Sequence, residues 1–433
     1  MIVIRLLSHF NSTNVFNTCA LFPTRCIQIS CNLFTISIVR VKSQSCDGMS
    51  QYDRCSRNST CACFHLPGAS NTGICTDRYA LTCSELTPCT RPTNNCRQSD
   101  HICVHHPECL DIPVCYPVPN HNKQFCPSIA INIPFNAKWT QNGVTIAGGN
   151  GKGNATNQLK NPLSLFVDDD QTVVIADTYN HRVIQWKNGD TTNGQVVAGG
   201  KGYGKGFNQL YQPRDALIDK ETNSLIICDA GNQRVLRWYR RSGATQEEIL
   251  IDNISCWGLA MDEQRYIYVS DIGKLEVRRY QLGEKNGTLA AGGNGQGDGL
   301  NQLNWPTYLF VDRQHNVYVS DRDNHRLMKW NKDAKEGIVI AGGQGKGNAL
   351  TQLYLPNGIF VDTLGTLYVA DYGNDRLMRW TQGVNQGTII VGGNGEGAGA
   401  NQFNGPVGLS FDRHGNIFVV DYDNHRVQRF TIE

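Results

Sequence analysis

The sequence predicts an all-β chain, a six-bladed β-propeller of four-stranded blades closed by an N-terminal strand and preceded by a small disulfide-rich module. Three observations lead there. A glycine signature recurs five times, mostly about 50 residues apart. The residues between copies read as four short strands, apolar or β-branched and bounded by turn formers. Twelve of the 17 cysteines crowd into residues 46–126. The expected division is an N-terminal segment 1–45, a cysteine-rich module 46–126, a linker 127–143 and a propeller 144–433.

The glycine signature reads AGGNGKGN at Ala147, AGGKGYGK at Ala198, AGGNGQGD at Ala291, AGGQGKGN at Ala341 and VGGNGEGA at Val391. The intervals are 51, 93, 50 and 50 residues, and the long one hides a diverged copy without the glycines. A period near 50 points to a propeller blade. After each glycine turn come NQL or a relative, a proline (Pro162, Pro213, Pro306, Pro356, Pro406), a strand ending in Asp, and a second strand such as TVVIAD. A tight turn, a strand such as NHRLMKW and a fourth strand such as GIVIAGG complete the unit. The last unit stops after its third strand, while Val144–Gly149 stands alone before the first unit. That orphan is expected to complete the last blade and close the ring.

Seen once, AGGNGKGN resembles a phosphate loop. A Walker loop, however, needs Gly-Lys followed by Ser or Thr and then a helix. Here Lys152 precedes Gly153, and its counterparts are Tyr203, Gln296, Lys346 and Glu396, so the charge is not maintained. Glycines that end a strand and open a wide turn explain the pattern better. No cofactor is implied.

The twelve clustered cysteines are Cys46, Cys55, Cys61, Cys63, Cys75, Cys83, Cys89, Cys96, Cys103, Cys109, Cys115 and Cys126. Their even number and density are those of a disulfide scaffold, with connectivity left open. Zinc knuckles need C-x2-C pairs and the region has none; its closest pair is Cys61-x-Cys63. No metal site is expected. Cys228 occupies a slot filled elsewhere by Ala176, Ser270, Ser320, Ala370 and Val420, so it reads as a small core residue rather than as half of a bridge, while Cys256 replaces the proline of the third unit.

Disulfides imply an extracellular or secretory setting, and N-x-S/T triplets at Asn58, Asn154, Asn253 and Asn286 fit a glycoprotein. Met1–Val41 holds no clean signal peptide, and the apolar run Ile27–Val39 is short for a span, so this segment reads as a poor signal or a membrane tether. The formal charge of +2 gives no reason to expect nucleic acid, and Lys152, Lys201, Lys205 and Lys346 are scattered. The propeller is expected to be monomeric.

The second turn of each unit carries a fixed set: Asp177, Asn180, Arg182; Asp229, Asn232, Arg234; Asp321, Asn324, Arg326; Asp371, Asn374, Arg376; and Asp421, Asn424, Arg426. His181, His325 and His425 sit before the Arg in three of them. The third unit departs, with Asp271 retained but Glu276 in the Arg position. Over 144–433 the chain resembles the NHL-repeat family of β-propellers through these Asp-x-x-Asn-His-Arg turns. Because the set occurs in nearly every unit, it is expected to be structural, with the Asp accepting N–H bonds from the turn.

Function is therefore expected where units differ. The turns between second and third strands share a face with the start of each innermost strand. After the proline the units read Leu163-Ser164, Arg214-Asp215, Thr307-Tyr308, Asn357-Gly358 and Val407-Gly408, while Cys256-Trp257-Gly258 stands in the third. Tyr179, Arg322, Asp323, Tyr372 and Tyr422 tip the turns. Arg214, Asp215, Trp257, Thr307, Tyr308, Asn357, Arg322, Tyr372 and Tyr422 are expected to form a face that binds a protein or glycan without catalysis. The resemblance brings two alternatives. A peptidyl-amide lyase with a similar propeller binds zinc through His at the starts of inner strands, positions that lack His here. Intracellular relatives combine such propellers with zinc domains in ubiquitin transfer or RNA binding, but this chain lacks their C-x2-C knuckles.

Overall fold

The computed structural model describes residues 44–45, 61–65, 67, 73–77, 86–90, 96, 101–106, 109, 113–117, 133–134 and 136–433, save 169, 191, 207, 221, 241–246 and 263. The chain divides into two compact units, 1–129 and 130–433.

The described residues of the first unit form two three-stranded antiparallel sheets. Gln44–Ser45 and Cys61–His65 flank Gly73–Asp77; Thr87–Pro88 and His101–Val104 flank Val114–Pro117. Among the described residues, their core is built from Phe64, Ile74, Leu86, Val104, Val114 and Tyr116. Covalent bridges add to this apolar packing. Cys89 joins Cys103 and Cys96 joins Cys115. Cys63, Cys75 and Cys109 are also disulfide-bonded. The sulfurs of Cys89, Cys96 and Cys115 lie within 4.8 Å of one another, but as disulfides they offer no thiolate to a metal. Cys46, Cys55, Cys83, Cys126 and the side chain of Cys61 lie outside the described residues, as do Cys19, Cys26, Cys31, Asn58 and the N-terminal segment 1–43. Among the described residues, no helix is long and apolar enough to cross a membrane.

The second unit is a ring of six four-stranded antiparallel meanders. Blade 1 runs Ser164–Val167, Val173–Asp177, Arg182–Trp186, Gln195–Gly199, and blade 2 runs Pro213–Asp219, Ser224–Asp229, Arg234–Tyr239, Glu247–Asp252. Blade 3 is Cys256–Met261, Ile267–Asp271, Glu276–Tyr280, Thr288–Gly292; blade 4 is Pro306–Val311, Val317–Asp321, Arg326–Trp330, Ile338–Gly342. Blade 5 comprises Pro356–Val361, Leu367–Asp371, Arg376–Trp380 and Thr388–Gly392. Blade 6 takes Pro406–Phe411, Ile417–Asp421 and Arg426–Phe430 from the C-terminal end and Val144–Gly148 from the N-terminal side, with Val427 opposite Ala147. The first strand of each blade packs against those of its neighbours around the axis. Second strands such as Leu367–Asp371 are buried at every residue, because a neighbouring blade covers each face. Their sequences are accordingly apolar runs rather than alternations.

The glycine loop doubles back. Lys152 bridges Leu159, and the same bridge recurs at Tyr203–Leu210, Gln296–Leu303, Lys346–Leu353 and Glu396–Phe403. Leu159, Leu210, Leu303, Leu353 and Phe403 are fully buried, so each loop serves to insert one apolar anchor. Gly342 shows why a glycine is needed: its φ is +67°, and a Cβ there would stand 2.5 Å from the His325 carbonyl oxygen.

Two expectations change. Residues 127–143 are not wholly a linker, because Trp139 bridges Ile432, packs edge-on against Tyr368 and donates its indole N–H to the Gly415 carbonyl at 2.8 Å. A large apolar ring that can cap an open blade edge gains more by burial than by serving as a tether. Cys228 is not a lone core residue but forms a disulfide with Cys256, with Cα atoms 5.9 Å apart, linking the second strand of blade 2 to the first strand of blade 3. Small size suits Cys228 to the shared slot, and replacement of the blade 3 proline by Cys256 supplies its partner.

Candidate ligand-binding mouth

Each repeated turn locks its blade to the loop before it. In blade 5 the buried Asp371 Oδ1 accepts the Tyr354 N–H at 2.7 Å, while Oδ2 accepts Asn374 Nδ2 and Arg376 Nε, each at 2.8 Å. Arg376 then donates to the carbonyls of Asn348, Ala349 and Gln352 in the glycine loop. The same Asp–Asn–Arg geometry recurs in the groups led by Asp177, Asp321 and Asp421. Asp229 likewise holds Asn232 and Arg234 at 2.7 Å. The Asp thus takes its backbone N–H from the incoming connector rather than from its own turn. Only Asp271 bonds its own turn, at Gly273 and Lys274.

The nine residues expected to form a face separate into two layers. Asp215, Thr307, Tyr308 and Asn357 are buried and do not form a surface. Asp215 joins blades: its carboxylate accepts the Ala216 and Leu259 N–H groups, each at 2.8 Å, and burial pushes its pKa up to about 6. The Tyr308 hydroxyl crosses the ring from blade 4 and donates to the Leu163 carbonyl of blade 1 at 2.7 Å, and burial drives its pKa well up. The innermost strands also approach closely, since a Cβ on Gly358 would meet the Val407 carbonyl oxygen at 2.4 Å. Backbones this close cover these four side chains, which form the floor of the mouth.

Above this floor, Arg214, Trp257, Arg322, Tyr372 and Tyr422 are part-exposed. The Arg214 guanidinium lies 4.4 Å from the Trp257 ring centroid and donates one hydrogen bond to the Cys256 carbonyl at 3.3 Å. Burial lowers its pKa, with the Tyr179 and Tyr308 hydroxyls beside it. Among the described residues no carboxylate pairs with Arg214. Arg322, by contrast, is neutralised by Asp323 at 2.7 Å. Trp257, Tyr372 and Tyr422 pack against the buried cluster that includes Leu163, Tyr308 and Val407, and Tyr422 bonds Tyr179.

Trp305 was not singled out by sequence reasoning. It is 37% exposed, stands edge-on 6.3 Å from Trp257 and has φ +60°. An indole before proline in a connector otherwise occupied by Asn161, Gln212, Leu355 and Gly405 was the available signal. All six blades contribute to the mouth, which offers flat aromatic walls, phenolic hydroxyls and the Arg214 cation.

The NHL repeat family matches residues 403–430. Among curated protein sequences, none matches the chain significantly. A Bacteroides thetaiotaomicron protein of unknown function aligns over 90% of this chain and 91% of its own, with TM-score 0.55 and 17% identity. An auxiliary nutrient binding protein from the same organism aligns over 87% of this chain and 92% of its own, with TM-score 0.53 and 14% identity. A streptogramin B lyase aligns over 67% of this chain and 98% of its own at TM-score 0.45 and 8% identity, too distant to bear on activity. At such identities the likeness concerns fold alone. With its six four-stranded blades, the second unit of this chain is a six-bladed β-propeller, and an NHL repeat matches its last blade.

Proposed function

We propose that this chain is a non-catalytic binding protein whose propeller mouth captures an anionic group next to a flat, weakly polar face on an extracellular protein or glycan. The observation that carries this is Arg214, a half-buried guanidinium laid on Trp257 with no carboxylate partner among the described residues. A cation held in that way favours an incoming carboxylate or sulfate, and the aromatic walls favour a ring or planar group beside it. Disulfides in both units fit an oxidising compartment, and Asn154, Asn253 and Asn286 are exposed as glycan acceptors must be. The nutrient binding propeller lends support by fold only.

The lyase-type zinc site does not fit these residues. The starts of the inner strands hold no His. His181 and His325 each use Nδ1 to accept a backbone N–H from the next blade, as does His425.

The test is binding of the full chain to an immobilised sialic-acid-terminated glycan and its neutral counterpart, and to a peptide with a free C-terminal carboxylate and its amide. The acidic member of one pair is expected to bind, and Arg214→Gln to weaken it at least about tenfold, the loss of one charge-assisted contact. Equal binding of acidic and neutral members, or an unaffected Arg214→Gln variant, would overturn the proposal.

A further inference from the structure

Neighbouring blades are joined on the mouth face by side chains from the turns between their second and third strands. The Nδ1 atoms of His181, His325 and His425 accept the backbone N–H groups of Gln212, Leu355 and Asn161 at 3.2, 3.3 and 3.3 Å. Each donor belongs to the following blade, and the His425 bond spans the closure between blades 6 and 1. At the junction of blades 5 and 6, Asp375 Oδ1 accepts the Gly405 N–H at 2.8 Å in the same way. A backbone N–H can only donate, so each of these imidazoles must present a lone pair at Nδ1. A protonated ring cannot.

From these bonds we infer that the mouth is released by mild acid: protonation of His181, His325 and His425 breaks three inter-blade bonds and frees the turns that carry Tyr179, Arg322 and Tyr422. The proton comes from solvent and converts Nδ1 from acceptor to donor. His425 Nδ1 already lies 3.1 Å from the Tyr422 carbonyl of its own turn, which a protonated ring takes as its acceptor. The bond thus changes from one that joins blades to one that closes a turn on itself. The release of ligand rests on the binding role proposed above; the loosening of the turns does not.

The surroundings set the direction. Burial is the main influence on all three rings and lowers their pKa below the usual 6.5. Lys160 opposes protonation of His181 while Asp229 favours it, and the Tyr203 and Tyr211 rings flank it. Around His325, Asp323 and the Arg322 carbonyl favour the charge while Lys346 and the Arg322 guanidinium oppose it, and Tyr354 lies edge-on. Around His425, Lys152 opposes the charge while the Tyr422 carbonyl, Asp423 and Asp177 favour it. With folded pKa values below the unfolded one, the unfolded state binds more protons. The stabilisation is complete above about pH 6.5 and is lost as pH falls toward the folded values.

Asp375 indicates the control. Asn at the three His positions would keep a short acceptor, tolerates the left-handed backbone (φ 55°, 54° and 52°) and does not titrate. The experiment follows hydrogen exchange of the Asn161, Gln212 and Leu355 amides in the full chain at pH 7.5 and 5.5, with the Gly405 amide as internal reference. Protection at the first three is expected to fall at least about tenfold on acidification while Gly405 holds, and the triple His→Asn variant to lose that difference. Equal loss at all four amides, or persistence in the variant, would overturn the inference. A second measurement follows dissociation of whichever acidic probe binds. Acid-accelerated release abolished in the triple variant supports the link to the mouth. Acid-labile amides with pH-independent release would sever that link and leave the binding role intact.

Discussion

The junction between blades 4 and 5 and that between blades 2 and 3 solve one problem with different chemistry. At the first, a glycine loop leads from Gly342 to Pro356, buries Leu353 and offers carbonyls to Arg376. At the second, blade 2 ends at Asp252 and blade 3 begins at Cys256, with no room for such a loop. Without loop carbonyls an Arg in blade 3 would be a buried cation with unfilled donors, and that position holds Glu276, paired to Arg278 at 2.7 Å. Asp271 turns to its own turn, and the Cys228–Cys256 bridge supplies the link that the loop provides elsewhere. The loop, the Arg and the Asp bonding pattern are therefore one cooperative device, lost together and replaced by a covalent bond.

The contrast can be broken at either junction. Arg376→Leu leaves Asp371 buried without its counter-ion, and should lower unfolding stability by about 3–5 kcal/mol, read from the urea midpoint. Replacing Cys228 and Cys256 together by Ala releases a bridge separated by 28 residues and should cost about 3 kcal/mol in the same measurement. Reductant should then no longer destabilise the propeller beyond that value. Gly342→Ala forces a side chain into a left-handed residue against the His325 carbonyl and should cost about 1–3 kcal/mol. Glu276→Gln should cost no more than about 1 kcal/mol, because Arg278 is 32% exposed and solvent takes over. If it cost as much as Arg376→Leu, the view that blade 3 has dispensed with the device would fail.

Repetition decided what could be read in advance. The four-strand unit, the ring and the closing role of Val144–Gly148 follow from patterns that recur with a fixed period, and chance does not repeat itself five times. What depended on a single pair was harder to see. Cys228 and Cys256 each depart from the repeat, in adjacent blades, and taken together they were a signal for the bridge. The burial of Thr307, Tyr308 and Asn357 depends on how closely the inner strands approach, which residue identity does not encode. The three His looked incidental because only side-chain direction reveals that they reach the next blade.

The pairing of Val144–Gly148 with Arg426–Phe430 has a consequence for how the ring is made. During synthesis the closing strand is the first piece of the propeller to appear, and its partner is among the last. Until then the first strand has no edge to join, and five blades must wait as an open arc with unpaired borders. Pairing between ends so far apart in sequence is slow, so the nascent chain passes through an interval in which another chain's strand could take the empty place.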